Sequence, residues 1–102
     1  SETAEFLEDA LGKLGLNRAE ANEFIVYWLP LMQDNPYNLI SFQTAAYTDA
    51  ARLQISPTPD TLIRVFMTWK PSETPVTLSP QTLTAPVRSG FVAVEWGGTR
   101  LQ

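Results

Sequence analysis

Histidine and cysteine are both missing from this chain of 102 residues. Histidine is the one side chain that titrates near neutrality without tuning, and it commonly activates serine and cysteine nucleophiles. Cysteine and histidine also supply the ligands of zinc and most transition-metal sites. Serine–histidine, cysteine–histidine, zinc-hydrolase and dithiol chemistry are therefore excluded together. Lysine is scarce too: Lys13 and Lys70 are the two, and no Ser-x-x-Lys spacing occurs to build a serine–lysine dyad. A basic stripe is also lacking. The net charge is −4, with residues 1–35 at −5 and the remainder at +1, so nothing collects phosphates and nucleic-acid binding is disfavoured. The longest apolar run, Phe24 to Met32, is far too short to span a bilayer and is interrupted by Pro30. Neither membrane insertion nor a signal peptide is expected from these residues. What remains is carboxylate, lysine, tyrosine or backbone chemistry, or no chemistry.

What is present is a core. Apolar residues make up 44% of the chain and aromatics 11%, enough to support a folded domain without disulfides or metal. The expected organisation is a single domain, 1–102, with a helical part over 1–35 and a strand-rich part over 36–102. The fold class is α+β: two N-terminal helices packed on a mainly antiparallel sheet of about four to five strands.

Phe6, Leu7, Ala10, Leu11 and Leu14 fall at helical spacing, with Glu2, Glu5, Glu8 and Asp9 crowding the first turns and Lys13 near the end. The acidic face reads either as a docking surface for a basic partner or as a solvated helix face. Gly15 suits a left-handed C′ position. Asn17-Arg18-Ala19-Glu20 reads as a capping box for a second helix. Its apolar residues, Ala21, Phe24, Ile25, Val26, Tyr27, Trp28 and Leu29, widen to most of the circumference, so this helix is expected to be largely buried. Pro30 cannot donate to the Val26 carbonyl, so the helix is expected to kink or stop near Leu29.

From Leu39 the period changes to two. Leu39–Gln43 is a short strand candidate, Thr44–Ala51 a helical turn or loop, and Arg52–Ser56 an alternating strand. Thr61–Lys70 is the strongest strand, apolar on both faces and so expected to be central, covered on each side. Residues 52–70 read as an antiparallel hairpin. Pro71–Val87 is a proline-rich excursion in which Val76-Thr77-Leu78 could form an edge strand. Gly90 to Gly98 is the last strand, closed by a glycine pair.

Asn22 to Pro30, Asn35-Pro36-Tyr37-Asn38-Leu39-Ile40, Pro59-Asp60-Thr61 with Arg64-Val65-Phe66-Met67, and Gly90-Phe91 with Val94-Glu95-Trp96-Gly97-Gly98 together resemble an uncharacterised bacterial domain. Such domains form the C-terminal part of predicted secreted or lipid-anchored proteins. The resemblance covers roughly residues 16–98. It implies a bacterial origin and an extracytoplasmic setting, secreted or at the cell surface, and it carries no catalytic residues.

The remaining candidates for chemistry are thin. Asp60-Thr61 echoes an aspartic-protease motif, but Leu62 stands where its glycine would be, and Asp60 reads equally as a turn residue. Asp34, Asn35 and Asn38 could offer calcium oxygens, without the glycine and closing glutamate of an EF-hand. Glu95 and a second acid could supply the paired carboxylates of a glycosidase, but so small a core promises no deep cleft. No cofactor, no metal and no catalytic residue is therefore assigned. The aromatics carry the functional expectation, since they serve as sugar platforms or protein hot spots. Trp28 and Trp96 read as core residues packed together. Tyr37 and Tyr47, flanked by polar residues, are the candidate binding residues. The function expected is a non-catalytic protein-interaction or assembly domain of a larger bacterial surface protein, with a protein or polysaccharide of the cell envelope as partner. The alternatives are a carbohydrate-binding module using exposed aromatics and a small proteinase inhibitor presenting the Pro71–Val87 loop.

Overall fold

The computed structural model describes residues 2–43, 54–76 and 81–102. Two helices, α1 (Glu2–Lys13) and α2 (Arg18–Met32), precede three strands, β1 (Tyr37–Gln43), β2 (Thr61–Ser72) and β3 (Val92–Arg100). The α+β class holds. Among the described residues, however, the sheet has three strands in the order β1-β2-β3, not four to five.

The turn between the helices follows from Gly15. The Leu16 N–H reaches back to the Leu11 carbonyl at 3.1 Å and the Gly15 N–H to the Gly12 carbonyl at 3.0 Å. These are the two bonds of a Schellman motif, with Gly15 at φ +104° as the left-handed residue. Leu11 and Leu16 are both buried, which supplies the hydrophobic contact that accompanies the motif. The second helix then starts where the capping box places it. The Glu20 N–H donates to Asn17 Oδ1 at 2.9 Å, and the Asn17 N–H to Glu20 Oε1 at 2.8 Å.

Beyond Pro30 the helix does not stop, and it runs to Met32. Proline withdraws one donor close to the end, the Gln33 N–H still reaches the Leu29 carbonyl at 2.9 Å, and Met32 is fully buried. Nor is α2 largely buried. Ala21, Phe24, Trp28 and Met32 face the core, while Val26 (74% exposed), Tyr27 and Leu31 face outward. A two-layer domain covers a helix on one side only.

β2 is central, as its pattern implies. Thr61, Ile63, Val65, Met67 and Trp69 are buried, and the alternate residues are half-buried or exposed. One face is thus the core face, where Leu7, Ala10, Leu11, Phe24, Trp28 and Met32 join Ile63, Val65, Met67, Trp69 and Phe42 in one cluster. Expected full cover on both faces gives way to Leu62 standing exposed on the other. β1 pairs with β2 antiparallel, Tyr37 opposite Ser72 and Gln43 opposite Phe66, whereas β3 pairs with it parallel, Thr61 beside Val92 and Trp69 beside Arg100. The parallel pairing corrects the mainly antiparallel expectation. Residues 73–91 form a connection long enough to return the chain to the start of β2, which a parallel neighbour requires.

Among the described residues the hairpin expected over 52–70 does not form. Arg52 and Leu53 lie outside the described residues, Gln54–Ser56 form no strand, and the neighbours of β2 are β1 and β3. Val76 is irregular, and Thr77 and Leu78 lie outside the described residues, as does the 44–51 segment.

The glycine pair does not close β3 but sits inside it. The reason is close packing. A Cβ on Gly98 would come within 2.7 Å of the Met67 carbonyl oxygen and 2.8 Å of Trp28 Cζ2, so the missing side chain is what lets the indole lie against the strand. Trp96 is only half-buried. It rests edge-on against Phe24 at 5.1 Å between ring centroids and tilted against Tyr27 at 5.6 Å, while Trp28 packs on Trp69 at 6.4 Å. Phe24 and Tyr27 stand between the two tryptophans expected to pack together, each of them in contact with both.

Candidate functional site

Tyr37 opens β1, which among the described residues is an edge of the sheet. Its ring is 42% exposed, as expected from its polar flanks. It lies on a groove of about 1020 Å³ between α1 and the outer side of β1. Thr3, Phe6, Asp9, Ala10 and Lys13 form the helical wall, and Tyr37 to Phe42 form the strand wall. Pro75, Val76, Gln81 and Leu83 line the groove as well. Tyr47, the second expected binding residue, lies outside the described residues.

The groove exists because α1 is amphipathic with a lopsided stripe. Leu7, Ala10 and Leu11 reach the core, and Phe6, one position off that line, is left 46% exposed. The sequence signal for Phe6 was present but points to the core, since Phe6 sits within the apolar spacing of the helix. Asp9 and Lys13 pair across one turn at 2.8 Å on the same helix, both well exposed, so this pair is a weak contributor to stability. With Glu2 also at the groove, its helical wall is acidic on balance.

One end of the groove is fixed by Asn38. Its Nδ2 donates to the Met32 carbonyl at 2.9 Å and contacts Thr3 Oγ1 at 3.3 Å, and its Oδ1 accepts from Asn35 at 3.0 Å. One side chain thus satisfies a carbonyl at the end of α2, ties β1 to α1 and closes the turn. The Asn38 oxygen is thereby engaged within the fold and not free to serve as a calcium ligand. Among the described residues no group of three or more acidic side chains gathers as a metal site would need.

The other end is occupied by Gln81, which no motif or periodicity singles out. The Phe42 N–H donates to Gln81 Oε1 at 2.7 Å, and Gln81 Nε2 donates to the Phe42 carbonyl at 3.0 Å. A side-chain carboxamide here makes the two hydrogen bonds that a neighbouring strand would make. Because both polar groups of Phe42 point away from β2, alternation along the strand turns those of Ile40 and Asn38 the same way, toward the groove.

The remaining candidates resolve into structural roles. Asp60 accepts from the Phe91 N–H at 2.7 Å, and its own N–H donates to the Phe91 carbonyl at 2.8 Å. Gly90 adopts φ +58°, and a Cβ there would collide with the Asp60 carboxylate. Asp60 therefore builds the turn into β3. Glu95 is taken by Arg64, whose Nε lies 3.0 Å from Glu95 Oε2 on adjacent parallel strands. Trp28 and Trp69 have no partner for their indole N–H among the described residues, and neither lines the groove. No helix is long and apolar enough to cross a membrane.

Set against protein-family models, curated proteins and solved structures, the chain matches none of them. The groove and its chemistry are the ground on which function has to be argued.

Proposed function

We propose that the domain is a non-catalytic protein-interaction module, part of a larger bacterial surface protein, that binds through the groove between α1 and β1. The observation that carries this reading is the groove itself, where Phe6 and Tyr37 stand exposed beside an edge strand. Exposed aromatics beside a strand that, among the described residues, has a neighbour on one side only favour a protein partner. The extracytoplasmic setting rests on the sequence resemblance alone.

The carbohydrate reading draws less support. The exposed aromatics of the described residues are Phe6, Tyr27, Tyr37 and Phe91, and only Phe6 and Tyr37 share the groove. A sugar platform needs a planar row. The inhibitor reading needs a protruding loop, whereas Leu83 packs on the core and Gln81 and Arg88 tether that stretch to β1 and to the helical turn.

Affinity capture from cell-envelope extract tests the proposal, with and without prior digestion of polysaccharide. A bound protein that survives digestion and is lost from a folded Phe6→Ala/Tyr37→Ala variant is the expected result. Retention depending on intact polysaccharide, or unchanged by the double substitution, overturns it.

A further inference from the structure

We draw no further inference here: the strongest candidate, the exposed apolar face of α2 formed by Val26, Tyr27 and Leu31, carries none because nothing in the structure shows what covers it.

Discussion

Glu20 shows how much one side chain can hold together. Its Oε1 accepts the Asn17 N–H and an Arg88 Nη1 hydrogen at 2.8 Å, and its Oε2 accepts from Arg88 Nη2 at 3.0 Å. Arg88 in turn reaches the Gly15 carbonyl at 2.9 Å, so the turn between the helices is bound to the stretch that leads into β3. The Asn17–Glu20 box was legible in the sequence because its partners are three residues apart. Arg88 was not, because it is brought in from 68 residues away by tertiary folding. The Arg88 hydrogen bonds hold the Glu20 carboxyl below its ordinary value of 4.5, with burial opposing and the Asn17 N–H assisting. A lowered folded value means that the unfolded chain binds more protons in the acid range. The stabilisation is complete above the ordinary value and is lost as pH falls through the folded one. Arg88 stays charged throughout. Thermal melts of wild type and Glu20→Gln should therefore differ most at neutral pH and converge toward acid. A gap that stays constant from pH 7 to pH 3 would show that the carboxylate charge is not what matters.

At the level of elements, the positions of β1, β2 and β3 were readable within a few residues and their partners were not. Alternation placed β2, because a sheet face buried on one side imposes a period of two whichever way its neighbours run. It says nothing about direction. The parallel pairing of β2 with β3 depends on the path of residues 73–91, a long-range matter with no local code. The ion pair was nonetheless foreseeable. Arg64 and Glu95 each stand as the one charge within the apolar stretch of a strand, Leu62–Trp69 and Val92–Trp96, and the register sets them side by side. The Arg64 side chain is only 5% exposed and that of Glu95 33%, so solvent screens the contact less than at the surface. A double-mutant cycle with Arg64→Met and Glu95→Gln is expected to give a coupling on the order of 0.5–3 kcal/mol, each single change costing more than its share of the double. Coupling near zero in denaturant melts would mean that the two charges are held by other neighbours. Helix α2 teaches the converse lesson. Val26 and Tyr27 read as part of a buried surface because apolarity alone does not tell a buried face from an exposed one, and the two-layer architecture decides between them.

For the whole molecule, the layers explain where binding can happen. The helices cover one face of a three-stranded sheet. α2 lies over the β3 side, where Trp28 rests on Gly98 and Phe24 on Trp96. α1 stands off β1 by enough to leave the groove. Tyr37 was recognisable as a surface aromatic from its polar neighbours. Its companions Phe6 and Gln81 were not, since the groove arises only when residues 6, 37 and 81 meet. The exposed patch on α2 is the rival surface, so the central claim is a claim about location. Site-specific photo-crosslinking in cell-envelope extract tests it most directly. A photoreactive phenylalanine analogue is placed in turn at Phe6, Tyr37, Val26 and Leu31, and protein adducts are measured after irradiation. Strong, discrete adducts from Phe6 and Tyr37 with little from Val26 and Leu31 are the predicted result. Adducts confined to Val26 and Leu31, with the groove positions silent, would contradict it.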